Sequence, residues 1–255
     1  MSKEEFARRL LQLNSSNYIV AYLDVLGATR YMEADSEQFL NNLNAIYEKA
    51  LDDVAFTNVV TKKKIDIKIF SDNILIVVET SKNDVNRVEK IKRIVELAGN
   101  IYCNALDYGY LIRGGITEGK FFKNNLFVFG KALVEAVKLE ENIAIYPRII
   151  VQEELIHLIP QYIMLDNDGE WYVNSFFMNG FGRYAKYKDN IEDLLQKYRN
   201  DRKAKQKLKW LVSYFNHFYC SQTCNDEPEY EPISLLDINN APEEESNLCN
   251  EVSNV

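Results

Sequence analysis

Two apolar runs that each end on an acid constrain this chain more than any other feature. Tyr18 to Leu23 is an apolar strand that runs into Asp24 and then, through Val25 and Leu26, reaches Gly27. Ile65 to Phe70 and Ile74 to Val78 are two further apolar runs, with Asp72 between them. If those two runs pair as a hairpin beside the first strand, Asp24 and Asp72 meet at one edge of a sheet. Two carboxylates in that setting suit hard divalent cations and a phosphate-bearing ligand. Within Ile65 to Asp72 the alternation puts Ile65, Ile67 and Ile69 on one face, and Asp66, Lys68, Phe70 and Asp72 on the other. Lys68 thus shares a face with Asp72.

The rest of the chain supplies partners for such a sheet. Asp35, with Gln38 three residues on, has the capping-box arrangement that starts a helix, and Phe39, Leu43, Ile46, Tyr47, Ala50 and Leu51 follow at helical spacing. A second long helix is expected from about Asp84 to Tyr108, striped by Val85, Val88, Ile91, Val95, Ala98, Ile101 and Tyr102 and stopped by Gly109. Strands are expected over Tyr110 to Thr117 and about Leu126 to Phe129. Gly130 then opens a third helix through Glu141 or Ala144, which ends before Tyr146-Pro147. Arg148 to Val151, a short helix near Glu153, and a hairpin turning at Asn167-Asp168-Gly169 complete the sheet region. The order β-α-β-β-α-β is the ferredoxin-like pattern, an α+β fold with an antiparallel-rich sheet and helices on one face. A charged helical stretch, about Ile191 to Tyr219, follows as a C-terminal extension.

Charge is unevenly spread. Nine of the 38 acids and none of the 30 bases fall in residues 221–255, so residues 1–220 carry a net charge near +1. The tail is expected to be disordered or loosely packed, and no basic stripe points to nucleic acid. Ser2 to Leu13 reads as an amphipathic N-terminal helix, within residues 1–16, and lacks the apolar core of a signal peptide. Apolar runs stay far short of the roughly 18–20 residues of a membrane span. The expected location is the cytoplasm. Cys103, Cys220, Cys224 and Cys249, with only His157 and His217 to assist, have no zinc-site spacing and read as reduced thiols.

Tyr22-x-Asp24-x-x-Gly27, Lys68-x-x-x-Asp72, Arg113-Gly-Gly-Ile-Thr-x-Gly119 and the run Gly130 to Glu140 resemble, in order and spacing, the class III nucleotidyl cyclases. Within them the likeness is greatest to the pyrimidine cyclases of the bacterial Pycsar anti-phage system, over about residues 17–180. The resemblance implies a head-to-tail homodimer with sites at the subunit boundary. It implies that Asp24 and Asp72, with the Val25 backbone carbonyl, hold two Mg²⁺ or Mn²⁺ ions. It also implies conversion of a nucleoside triphosphate to a 3′,5′-cyclic monophosphate and pyrophosphate, the product being cyclic UMP or cyclic CMP that switches on a partner effector.

Individual positions refine this expectation. Gly27 would let backbone approach phosphate. Lys68 stands where the purine enzymes carry a base-reading residue, and a donor-only lysine favours the acceptors of uracil, hence UTP before CTP. Tyr22 would narrow the base pocket against purines, and Phe127 stands where adenine readers have a polar residue. The transition-state Asn and Arg of the purine enzymes align with Val134 and Lys138, so Lys138 keeps a cation without a planar fork, and Arg113, Lys131 or Arg148 could supplement it. A purine cyclase and a non-enzymatic nucleotide sensor on the same fold are the alternatives.

Overall fold

The computed structural model describes residues 15–61, 64–124, 127–179, 182–220 and 230–234. In chain order the elements are β1 (Ser16–Val25), α1 (Ala28–Thr61), β2 (Ile65–Phe70), β3 (Asn73–Thr80), α2 (Arg87–Leu106), β4 (Ile112–Lys123), β5 (Val128–Phe129) and α3 (Lys131–Lys138). The end of α3 widens into a π-helical turn, Leu139–Ile143. Then come β6 (Ile149–Val151), α4 (Glu153–Ile156), β7 (Ile163–Leu165), β8 (Trp171–Val173), α5 (Ser175–Asn179), α6 (Tyr184–Lys197) and α7 (Arg202–Cys220). The sheet runs β2-β3-β1-β4-β6-β8-β7, with β5 paired to β4 off that path. β1 is antiparallel to both β3 and β4, and β4 to β6 is the parallel pairing. This is the ferredoxin-like α+β arrangement.

Both faces of the central strand are buried, which explains why it is almost wholly apolar. Ile19, Ala21 and Leu23 face α1 and α2, in one core with Phe39, Leu43, Ile46, Ile91, Val95 and Ala98. Tyr18 and Val20 face the other way, in a smaller core with Leu75, Val77, Phe121 and, from α3, Ala132 and Ala136. The two helices of the βαββαβ unit therefore share one face, and α3, outside that unit, covers part of the other. Contact there is close because of Gly115, where a Cβ would stand 2.3 Å from the Ala136 carbonyl oxygen.

Several boundaries differ from the sequence-based expectations. The first helix starts at Ala28, and Asp35 is an interior break (φ −158°, ψ 91°). Its carboxylate still accepts the Gln38 N–H at 2.9 Å, so the cap exists inside a longer element. Leu51, assigned to the buried stripe, is 45% exposed. The second helix begins at Arg87 because Asp84 caps a preceding turn, accepting the Asn86 N–H; Val85 is consequently 95% exposed, and the buried stripe begins at Ile91. β4 overruns its expected end, as Ser16 and Asn17 extend the pairing to Phe121 and Lys120.

The C-terminal extension is two helices, because Asp201 starts α7 anew by accepting the N–H groups of Lys203 and Ala204 at 2.9 and 3.0 Å. Leu208, Leu211 and Phe215 of α7 join the main core. Of the tail, residues 230–234 are described, and they lie against α7. Ile233 is buried, and it exchanges two hydrogen bonds with the Asn216 side chain, at 2.9 and 3.0 Å. The expected N-terminal helix lies outside the described residues except for 15 and 16, of which Ser16 opens β1, and so does the rest of the acidic tail. Among the described residues no helix is long and apolar enough to cross a membrane. Cys103 is a free thiol, buried, and burial pushes it up to about 12.

Candidate active site

The register brings the two strand-end acids together. Asp24 lies opposite Asn73 on β3 and opposite Arg113 on β4. Phe70 pairs with Asn73, so Ser71 and Asp72 form a two-residue turn, and Asp72 sits one residue from the partner of Asp24. Ser71 takes a left-handed conformation (φ 58°), which a side-chain-bearing residue adopts at a cost. The Tyr47 hydroxyl of α1 donates to the Ser71 carbonyl at 3.0 Å and ties the turn down. On the same side of β1 as Asp24, Tyr22 donates to the Asn73 amide oxygen at 2.6 Å.

Arg113 and Glu140 complete the cluster. Arg113 Nε donates to Asp24 at 3.1 Å and lies 2.6 Å from Glu140 Oε1. That approach is off the hydrogen-bonding direction, and Oε1 has no hydrogen bond among the described residues. Glu140 stands on the π-helical turn after α3 and is 3% exposed. Burial pushes its carboxyl up to about 7; Arg113 opposes the rise and Asp24 adds to it. Asp24 is raised too, by burial first, with Arg113 pulling it down and Asp72 pushing it up. The Tyr22 phenol is pushed up to about 12, by burial and then by Glu140, Asp24 and Asp72. The cluster thus holds more negative charge than Arg113 neutralises. Glu140 was legible as the last residue of the Gly130 run but drew no role, because helical periodicity does not reveal that a wide turn buries it.

The remaining candidates scatter around this cluster. Gly27 has φ 78° and open space where a Cβ would be, and its carbonyl accepts the Arg30 N–H at 3.0 Å as α1 begins. The Val25 side chain is buried in the core and the residue ends β1 opposite Ile112, so any contact with a ligand would be through its backbone. Lys68 Nζ donates to the Asn124 carbonyl at 2.9 Å. Phe127 is 39% exposed, its ring 5.5 Å from that of Phe122. Val134 and Lys138 are exposed on α3; Lys138 pairs with Glu135 at 3.2 Å and is not among the main charges acting on Asp24 or Glu140. Arg148 is fully buried against Asp166 and Asp168, which commits it to structure.

Among the described residues no three His, Cys, Asp or Glu side chains gather as a metal-holding group. The donor set is the carboxylate pair Asp24 and Asp72. It suits a hard divalent ion that completes its shell with water and substrate phosphate, and such an ion would offset the burial and, after it, the Asp72 repulsion that raise Asp24.

No protein-family model and no curated protein sequence matches the chain. Solved structures do. The chain is similar to the adenylyl cyclase CyaB from P. aeruginosa at 16% identity, covering 64% of this chain and 95% of that one, with a TM-score of 0.50. It is also similar to the monomeric guanylyl cyclase domain of the RhoGC fusion protein from the aquatic fungus Blastocladiella emersonii (16% identity, 62% and 94% covered, TM-score 0.47). A third is a class III adenylyl cyclase-like ATP-binding protein from Pseudomonas aeruginosa (10% identity, 63% and 40% covered, TM-score 0.44). The likeness to CyaB establishes the fold, that of a class III cyclase domain.

Proposed function

We propose that this chain is a nucleotide cyclase that converts a pyrimidine nucleoside triphosphate, UTP ahead of CTP, into its 3′,5′-cyclic monophosphate and pyrophosphate. One observation carries the reading: Asp24 and Asp72 meet at strand ends, on the fold shared with CyaB. In the reaction the ribose 3′-oxygen attacks the α-phosphorus in line, the bond from that phosphorus to the β-bridging oxygen breaks, and the hydroxyl proton leaves to solvent. Asp24, Asp72 and the Val25 carbonyl would hold two Mg²⁺ or Mn²⁺ ions. Bound there, the ions lower the pKa of the 3′-hydroxyl and neutralise the triphosphate.

The chain's own residues do the rest. Arg113 fixes the rotamer of Asp24 through its 3.1 Å hydrogen bond and adds positive charge beside the reacting phosphate. The open backbone at Gly27 admits phosphate close to the start of α1. Tyr22, held by Asn73, bounds the base side of the site and limits it to a single ring. Lys68 uses one of its three donors on Asn124, which leaves two for the O4 or O2 of uracil. Lys138 stands apart from the Asp24 cluster of its own chain, which fits a head-to-tail homodimer in which it serves the site of a second copy. In this reading the cyclic product acts on an effector in anti-phage defence. The second reading is a purine substrate, favoured by the likeness to CyaB, which is an adenylyl cyclase.

Purified protein incubated separately with ATP, GTP, CTP and UTP in the presence of Mn²⁺, with products identified by mass spectrometry, tests both. Cyclic UMP or cyclic CMP is expected. Cyclic AMP or cyclic GMP as the main product selects the purine reading, and no cyclic product from any of the four overturns cyclase function.

A further inference from the structure

The C-terminal extension reaches the site. A cavity of about 220 Å³ lies beside the turn after β1, lined by Gly27 and Arg30 on the core side and by Asp201, Lys203 and Lys207 of the extension. Arg30 and Lys203 also line a broader groove of about 520 Å³ with Lys197 and Arg202. Four of these cations (Lys197, Arg202, Lys203 and Lys207) come from the extension, which lies beyond the residues 17–180 covered by the cyclase resemblance.

Lys207 is the informative member. Arg30 is tied to Asp201 in an ion pair. Lys207 is half-buried, and its ammonium has no hydrogen-bond or ion-pair partner among the described residues. Burial holds it below the ordinary lysine value, Arg113 pushes the same way, and Asp24 opposes both. A half-desolvated cation with no partner among the described residues is suited to pairing with an arriving anion. A lysine one turn into α7, within the electrostatic field of Asp24 and beside the Gly27 turn, suits phosphate, which lysine binds as a point charge.

We propose that Lys207 binds the polyphosphate end of the substrate, so that the C-terminal helix completes the nucleotide site. The identity of that substrate rests on the cyclase reading; the anion site itself does not. The position of Lys207 also gives α7 a reason to be fixed to the core: the helix carries a substrate-binding side chain as well as apolar packing.

The test uses the full chain with Lys207→Met, which keeps the apolar stem and removes the charge, and Lys207→Arg, which restores the charge. Binding of inorganic pyrophosphate is measured by calorimetry, and kcat and KM are measured with the preferred triphosphate. The Met variant is expected to bind pyrophosphate about tenfold more weakly and to raise KM by a similar factor, with the Arg variant recovering most of the loss. Neither variant should melt below the wild type. Undetectable pyrophosphate binding by the wild type, unchanged affinity and KM in Lys207→Met, or equal thermal destabilisation by Met and Arg would each overturn the proposal. If pyrophosphate binding depends on Lys207 but no triphosphate is cyclised, the cyclase reading falls and the anion site stands. If product forms with an unchanged KM in Lys207→Met, the cyclase reading stands and this proposal falls.

Discussion

Arg113 is the residue on which the cluster depends, because it is the cation that lies between Asp24 and Glu140. Removing it leaves two acids together at a largely buried position, and breaking such a pair is strongly destabilising. We predict that Arg113→Met lowers unfolding free energy by about 3 kcal/mol, measured by chemical denaturation. The double variant Arg113→Met/Glu140→Gln should recover a large part of that loss, since the unpaired acid is gone; additive effects would show that the two side chains do not interact. A second prediction concerns Tyr22. Tyr22→Ala removes the ring held by Asn73, and should raise relative activity on purine triphosphates. An unchanged ratio of purine to pyrimidine turnover would remove Tyr22 from base selection. The strand-end acids were legible in the sequence because a polar residue closing an apolar run is a local signal. Glu140 was not, since its burial depends on a wide helical turn and on a strand 27 positions earlier in the chain.

The strands and the order of the helices followed from apolar periodicity, as the buried series Phe39, Leu43, Ile46 and Ala50 illustrates. Ends were less legible because they depend on tertiary partners: β4 runs to Lys123 because the start of β1 pairs with it as far as Phe121 and β5 pairs with Phe122 and Lys123. The break between α6 and α7 was missed because Asp201, its cap, sits among charged residues that read as one solvated helix. The face covered by α3 also escaped the sequence pattern, since two alanines and a facing glycine give only a weak apolar signal. That close contact is testable. Gly115→Ala would place a Cβ 2.3 Å from the Ala136 oxygen and 2.7 Å from Leu139 Cβ, so α3 must lift from the sheet. A loss of about 1–3 kcal/mol is expected, read as a lower melting temperature. Cyclisation should fall with it, because the end of α3 carries Glu140.

At the scale of the whole molecule, a charge network centred on one buried arginine fastens the extension to the sheet. Fully buried Arg148 holds Asp166 and Asp168, and Trp210 of α7 donates to Asp166 at 2.5 Å. The hydrogen bond from Arg148 is the main reason the Asp168 carboxyl lies below its ordinary value. A carboxyl depressed by folding stabilises the native state above its unfolded pKa and loses that contribution as pH falls through the folded one. The melting temperature of the wild type should therefore exceed that of Asp168→Asn near neutral pH, and the gap should close as pH drops below the ordinary aspartate range. A gap independent of pH would mean that the ion pair contributes nothing through ionisation. In the proposed cyclase the sheet presents two acids and the helices complete the site, so activity requires Asp24 and Asp72 together. The most direct measurement compares initial rates of cyclic nucleotide formation by the wild type and Asp72→Asn, with Mn²⁺ and the preferred triphosphate. A loss of roughly a hundredfold or more is expected, with an unaltered melting temperature. A folded Asp72→Asn protein that cyclises at the wild-type rate would contradict that requirement.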